Sequence, residues 1–298
     1  WLVRYLHLQE SHATGPTDRI GESLSMKLII QIPCYNEAGT LAIALAELPR
    51  QVPGFDKVEL LVIDDGSPDP AVGPVLDSFA GTPGLTIMRS PRNLGYTKTI
   101  NLGIGQAAGR DVILLNSDTV VTPRWLEGLR ATAYSRPNVG TVTAMGDNAG
   151  AFSFPLHNQK CDKPDHLTHE EYALMMVQAA VDCAAPEVPT GSGFCMYIRR
   201  AMMDACGTFD EEGFPRGYGE ENDFCMRAMK AGWVNLISPW AFVFHIRTAS
   251  FKGEKDKLVK EGVDVVMKRY PDYTRLVKAA FSGPDMMALR EATARAVI

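Results

Sequence analysis

In the stretch VILLNSDTVVTP (Val112–Pro123), four apolar residues run without interruption into Asn116-Ser117-Asp118. A short, continuous apolar run of this kind predicts a strand covered on both faces. Its abrupt end on a carboxylate places Asp118 where a core strand opens onto a crevice. Thr122 and Pro123 then predict the start of a helix, as N-cap and first-turn residue, with Trp125, Leu126 and Leu129 facing inward.

The flanking sequence repeats the pattern. KLIIQIP and VELLVIDDGS predict two further strands, the second ending on Asp64, Asp65 and a glycine turn, and LTIMR predicts a third. Between them, Thr40 suits the cap of a helix carrying Leu41, Ala44, Leu45 and Leu48 at helical spacing. YTKTINLGIGQAAG reads as a second helix, with Gly109 at its C-terminal end. Alternation of strand and helix predicts an α/β chain with a mostly parallel central sheet and helices on both faces.

The second half is less regular. VGTVTAM and GSGFCMYIRR read as strands, and WVNLISPWAFVFH as one or two. THEEYALMMVQAAVD opens on Thr168 and Glu171 at capping-box spacing, and EENDFCMRAMKAG is a helix stopped by Gly232. The expected division is an N-terminal helix and linker over 1–25, with the helix over Trp1–Gln9, an α/β unit over 26–251, and a charged helical extension over 252–298.

Composition narrows the function. The chain has 298 residues, 46% hydrophobic and 22% charged, the profile of a globular domain. Its formal net charge of −5 argues against a non-specific nucleic-acid binder, which needs a basic surplus. No apolar run approaches the roughly 18 residues of a membrane span. The six cysteines include no C-x-x-C pair, so they read as core thiols in a reducing, cytoplasmic setting.

Ligands of such sheets bind beyond the carboxyl ends of the strands. Three strands end there on polar clusters: Pro33-Cys34-Tyr35-Asn36-Glu37, Asp64-Asp65-Gly66-Ser67 and Asn116-Ser117-Asp118. A single acidic strand end is often only a helix cap, but three in sequence predict a site. Neither G-x-G-x-x-G nor G-x-x-x-x-G-K-[ST] follows a strand, which argues against a dinucleotide dehydrogenase and a P-loop NTPase. Gathered acids at a ligand crevice suit a divalent cation that arrives with a phosphorylated substrate.

The motifs IPCYNE, LLVIDDGS, RNLGYTKTINLGI, LLNSDT, GSGFCMYIRR and GYGEENDFCMRA occur in an order that resembles the inverting glycosyltransferase family 2, which has the GT-A fold. The resemblance spans roughly Lys27 to Phe251. It extends to catalytic modules of bacterial multi-domain proteins that build O-antigen, capsule or other surface polysaccharide. It implies transfer from a UDP- or dTDP-sugar to a glycan or lipid-linked glycan acceptor. It also implies a cytoplasmic chain, peripheral to the inner face of the membrane or fused to other glycosyltransferase modules.

Residue by residue, the resemblance implies that Pro33, Tyr35 and Glu37 lie near the base and ribose, and that Asp65 accepts the N3–H of a uracil or thymine. Arg92 and Asn93 would approach the diphosphate. Asn116-Ser117-Asp118 stands where the family has its D-x-D motif, so Asp118 would hold Mn²⁺ or Mg²⁺ beside the diphosphate. Asn116 replaces the first acid with an amide that contributes no charge. His245 would be a second metal ligand, and Gly191 and Ser192 would let backbone approach the donor sugar.

Glu221 falls at the position of the catalytic base, with Glu where Asp is commoner. Glu220, Asp223 and Trp240 would bind the acceptor, although core packing is an equal expectation for Trp240. A helix N-terminus at Glu221 is expected to lower its pKa and keep it ionised. Two other readings stay open at this level: a nucleotidylyltransferase, and a catalytically silent glycan-binding module of a polymerase complex.

Overall fold

The computed structural model describes residues 27–49, 51–53, 55–107, 109–246 and 255–297. The helix and linker expected over 1–25 lie outside the described residues.

Among the described residues, nine strands form the sheet: β1 (Lys27–Cys34), β2 (Lys57–Asp64), β3 (Leu85–Arg89), β4 (Asp111–Leu115), β5 (Thr119–Val120), β6 (Val139–Gly146), β7 (Glu187–Val188), β8 (Cys195–Ile198) and β9 (Val234–His245). Their order is β3-β2-β1-β4-β8-β6-β9-β5, with β7 also on β9. β1, β2, β3, β4, β6 and β9 run in one direction, so the sheet is mostly parallel, as expected.

The apolar run of β4 is explained by what covers it. Ile113 and Leu115 pack on one face with Leu28, Ile30 and Ile32 of β1, while Val112 and Leu114 pack on the other with Ile29. On the first face lie α1 (Ala38–Glu47), α2 (Val72–Ser78), α4 (Trp125–Ala133), α5 (His169–Ala179) and α10 (Pro284–Val297). On the second lie α3 (Tyr96–Gln106), α6 (Arg200–Cys206) and α7 (Glu220–Lys230). α8 (Lys255–Arg269) and α9 (Tyr273–Phe281) lie between α7 and α10, and Val266 of α8 and Tyr270 just after it pack on Phe214 and Met226. All six cysteines are free thiols, as their spacing implied.

Two expected helix starts are corrected. α1 begins at Ala38 with Glu37 as N-cap, and Thr40 instead donates its hydroxyl to Glu37 Oε2 at 3.0 Å. α4 begins at Trp125, not Pro123, because the Thr122 hydroxyl donates to Phe242 O at 2.6 Å across to β9. A sheet carbonyl takes the hydroxyl that the local pattern assigned to a cap. The Thr168–Glu171 capping box is present as expected.

Close packing of α4 on β9 depends on Gly128, where a Cβ would lie 2.0 Å from Trp240 O. Neither backbone can yield without moving a buried element. Gly128→Ala is therefore expected to destabilise the fold by about 1–3 kcal/mol, an overpacking cost, read as a lower thermal midpoint.

Two antiparallel strands shape the crevice. β8 pairs with β4 through Leu115↔Cys195, so the loop entering β8 emerges at the edge where β4 ends. β5 pairs with β9 through Thr119↔His245, which carries Asp118 to the end of β9.

Candidate active site

The first corner of the crevice is tied together by its own backbone. Asp65 Oδ1 accepts the N–H of Leu94 at 2.7 Å, and Oδ2 accepts that of Gly95 at 3.0 Å. Asp64 Oδ1 accepts the Ser67 N–H at 3.0 Å, and Ser67 Oγ accepts the Asn36 N–H at 3.0 Å. Gly66, at φ +70°, packs on the backbone of Arg92 and Asn93, where an added Cβ would meet Arg92 C at 2.5 Å.

The three loops after β1, β2 and β3 thus form one surface. Tyr35, Pro33 and Glu37 are half-buried on it, and Arg92 and Asn93 are exposed. Asp65 proves to be a clamp on the loop that opens α3. It is itself buried, at 4% exposure.

The second corner joins β4, β5 and β9. Asp118 Oδ1 lies 3.2 Å from His245 Nε2, and Asn116 Nδ2 lies 3.3 Å from the same nitrogen. Both Asp118 and His245 are buried, at 9% and 8% exposure, so these groups are held rather than solvated. Ser117, between the two strand ends, is also buried. The backbone fixes the pair through the Ile246 N–H, which donates to Asp118 O at 2.9 Å. Phe194 stacks on the His245 ring at 5.4 Å between centroids.

This pair fits one edge of a divalent cation's coordination shell. Two ligands at right angles around Mg²⁺ or Mn²⁺, each about 2.1 Å from it, stand about 3 Å apart. His245 Nδ1 is buried and has no hydrogen-bond partner among the described residues. No third histidine, cysteine or acid joins Asp118 and His245 among the described residues. A cation here would complete its shell from phosphate oxygens and water, which suits a substrate-borne ion.

Asp147, which closes β6, was not singled out from sequence. Its Oδ1 accepts the His245 N–H at 2.8 Å, so it fixes the backbone of the candidate ligand. Burial pushes its carboxyl above the usual value, opposed by that N–H. The signal was available: VGTVTAMGD is another core strand ending on an acid, as β2 and β4 do.

The third corner is the start of α7. Glu221 accepts the Gly193 N–H, and a Cβ on Gly193 would meet Glu221 Oε1 at 2.5 Å and Tyr96 Oη at 2.6 Å. Burial and the neighbouring Glu220 carboxylate push the Glu221 pKa up to about 8, against the Gly193 N–H, which favours the anion. The expectation that the helix N-terminus would lower it is therefore overturned: desolvation outweighs the helix dipole, worth about 0.3–1 kcal/mol at exposed sites. Glu220, 3% exposed, is raised to about 7 by burial, and its Oε2 has no hydrogen-bond partner among the described residues. Tyr96, also not singled out from sequence, is pushed well above its ordinary value by burial and by Glu221, Glu220 and Asp118. Its phenol therefore stands between the two acidic corners.

The Gly191–Gly193 loop is placed by contacts on both sides. Gly191 N–H donates to Cys225 Sγ at 3.1 Å, and the Ser192 N–H donates to Thr143 Oγ1 at 3.2 Å. A Cβ on Gly191 would meet Met196 Sδ at 2.5 Å, so this loop admits no side chain there. Thr190 Oγ1 donates to Asn222 Oδ1 at 2.6 Å, tying the loop to α7.

Two expected acceptor residues lie elsewhere. Asp223 is 1% exposed and is occupied by Arg227 Nε at 2.8 Å, Arg269 Nη1 at 2.9 Å and Tyr270 Oη at 2.9 Å. It holds helices together and faces no open space. Trp240 sits at the irregularity between β6 and β9, and its indole N–H donates to Val181 O at 3.2 Å. It serves packing, one of its two expected roles.

Comparison with known proteins agrees with the motifs. The family model described as Glycosyl transferase family 2 matches residues 29–207, more than half of the chain. An N-acetylglucosaminyltransferase of Mesorhizobium japonicum is 29% identical over 219 residues, 70% of this chain and 49% of its own. The uncharacterised protein y4gI of Sinorhizobium fredii is 26% identical over 238 residues, covering 72% of this chain and 24% of its own. The chain thus spans half or less of these relatives. Among solved structures, the mannosyltransferase PcManGT of Pyrobaculum calidifontis, in complex with GDP-Man and Mn²⁺, superposes with a TM-score of 0.60 at 16% identity. That superposition covers 99% of this chain and 81% of that one, and it shows the fold, the expected GT-A arrangement.

Proposed function

Because the chain belongs to glycosyl transferase family 2, we propose that this glycosyltransferase moves a sugar, with inversion, from a UDP- or dTDP-linked donor. The acceptor would be a glycan or lipid-linked glycan of a surface polysaccharide. Membership removes the nucleotidylyltransferase reading. The support for a donor containing N-acetylglucosamine is that several relatives carry that name.

One observation carries the mechanism. Adjacent residues reach both chemical corners: Gly193 donates to Glu221, and Phe194 stacks on His245. A base and a cation-binding pair therefore flank one short loop that has no room for a side chain at Gly191 or Gly193. Inverting transfer needs that arrangement. The acceptor oxygen forms its bond to the anomeric carbon from one side while the bond to the diphosphate breaks on the other.

In this reading Glu221 takes the acceptor hydroxyl's proton as its oxygen attacks. Asp118 and His245 would hold Mn²⁺ or Mg²⁺, which would supply positive charge at the diphosphate. Asp65, with Tyr35, Pro33 and Glu37, forms the base and ribose corner. Arg92 and Asn93 line the entry to the phosphates, Asn116 and Ser117 lie under the ribose and cation, and Gly191 and Ser192 face the donor sugar. Glu220 remains the acid available to an acceptor hydroxyl.

The raised acid pair gives a pH signature. Glu221 must be ionised to act as a base, so activity is lost as pH falls through its raised pKa. A rising limb in kcat/KM near neutral pH, above the ordinary carboxylate range, is expected. Glu220→Gln removes the neighbouring negative charge and should move that limb to lower pH. A limb near pH 4–5 in the parent would show that Glu221 is not buried as described.

The reading is tested by a donor panel led by UDP-N-acetylglucosamine, scored by nucleotide diphosphate release with Mn²⁺ and with EDTA. Release that depends on the cation supports it. Release unaffected by EDTA removes the metal role of Asp118 and His245.

A further inference from the structure

The turn before the base is unusual. Gly217, Tyr218 and Gly219 have φ of +88°, +65° and +134°, three consecutive residues in a region that favours glycine. Tyr218 has a Cβ, so its backbone is strained there. Glu220 and Glu221 follow immediately, so this turn sets the direction in which α7 presents both acids.

What holds the turn comes from the far end of the chain. Gly262 of α8 lies against it so closely that an added Cβ would fall 1.5 Å from Tyr218 O. A Cβ on Gly219 would in turn lie 3.1 Å from Gly262 O and 2.6 Å from the Phe214 ring. One helical turn pair further along α8, Arg269 Nη1 reaches Asp223 Oδ1 at 2.9 Å and Asp210 Oδ2 at 2.7 Å. Its guanidinium lies 5.3 Å from the centre of the Phe214 ring. Tyr270 Oη donates to the same Asp223 oxygen at 2.9 Å.

Asp223 is one turn along α7 from Glu220, fully buried, and its other oxygen is held by Arg227. Arg227 also donates to Cys206 O and Thr208 O, both at 2.6 Å. α8 therefore grips α7 at Asp223, the preceding loop at Asp210, and the left-handed turn at Tyr218.

We infer that α8 belongs to the catalytic apparatus, with Gly262, Arg269 and Tyr270 as positioning residues that fix the 217–219 turn and so orient Glu221. This rests on the reading of Glu221 as the base. The donor corners are built on the loops after β1, β2 and β3 and on the ends of β4, β5 and β9, and α8 supplies none of their contacts described above. Loss of the α8 grip should thus misplace the base and leave the donor site intact.

The test compares Arg269→Ala, Arg269→Lys, Gly262→Ala and Tyr270→Phe in the full chain. Arg269→Ala and Gly262→Ala are expected to lower kcat by about 10- to 100-fold, the cost of an ångström-scale misplacement. Donor KM and UDP affinity should stay near the parent values. Arg269→Lys, which keeps the charge beside Asp223, should recover part of the loss. Hydrogen exchange at the Gly193 amide, whose N–H Glu221 accepts, should speed up in Arg269→Ala.

A folded Arg269→Ala protein with parental kcat and a protected Gly193 amide would overturn the inference. So would a joint loss of kcat and donor affinity, which marks a general loss of structure. If Gly262→Ala fails to fold, Arg269→Ala and Tyr270→Phe decide the matter: both should lower kcat with donor KM unchanged, and parental kcat in both would overturn the inference. A parent that transfers no sugar would remove Glu221 as base, while Gly193 exchange would still report whether α8 orients its carboxylate.

Discussion

Glu221→Gln is expected to lower the transfer rate by about 10²- to 10⁴-fold, the range for loss of a positioned general base. Glutamine keeps the shape and can still meet the Gly193 N–H through its carbonyl oxygen. It cannot take a proton from the acceptor. Donor affinity should be preserved, because Asp118, His245 and Asp65 are untouched. The substitution also removes a half-buried, desolvated acid that crowds Glu220, so thermal stability should hold or rise slightly. The comparison needs single-turnover rates with donor affinity measured on the same protein. Transfer at the parental rate would mean that another group accepts the proton.

Asp118→Ala is the second large effect. With no third acid at this corner among the described residues, its loss leaves His245 alone to hold the cation. The resulting loss of charge stabilisation on the leaving diphosphate is worth several kcal/mol, or about 10²- to 10³-fold in rate. The deficit should be partly recovered by raising the Mn²⁺ concentration, because a weakened cation site refills by mass action. Asp147→Asn provides a graded companion. It weakens the anchor of the His245 backbone, and such outer partners typically cost 10–100-fold in metal affinity.

The crevice was legible because its signals are local. A strand covered on both faces must be apolar throughout, so the change at Leu115-Asn116 marks the strand's end without tertiary information. Asp64-Asp65-Gly66 is readable for the same reason, and the Thr168–Glu171 box closes within four residues. Long-range competition was not legible. Thr122 looks like a cap until Phe242 O, far along the chain, takes its hydroxyl. Asp223 looks like a ligand-facing acid until Arg269 and Tyr270 reach it from α8.

The pKa of Glu221 shows the limit most clearly. Sequence places it in the first turn of a helix, where the dipole favours the anion. Only the fold reveals that Glu220 and Glu221 are enclosed together, and desolvation then dominates. The grip of the charged helical extension on the site is not legible in sequence, because its partners, Tyr218 and Asp223, lie more than 40 residues back in a different helix and turn.

The most direct measurement is calorimetric titration of UDP, with dTDP in parallel, into the parent protein with Mn²⁺ and again after EDTA. The Asp118–His245 pair with too few ligands of its own predicts that cation and nucleotide bind together. Affinity should be at least about 10-fold weaker after chelation, in keeping with the several kcal/mol that a bound cation contributes at a phosphate. Equal affinity with and without Mn²⁺ would contradict the account, because Asp118 and His245 would then have no part in holding the donor.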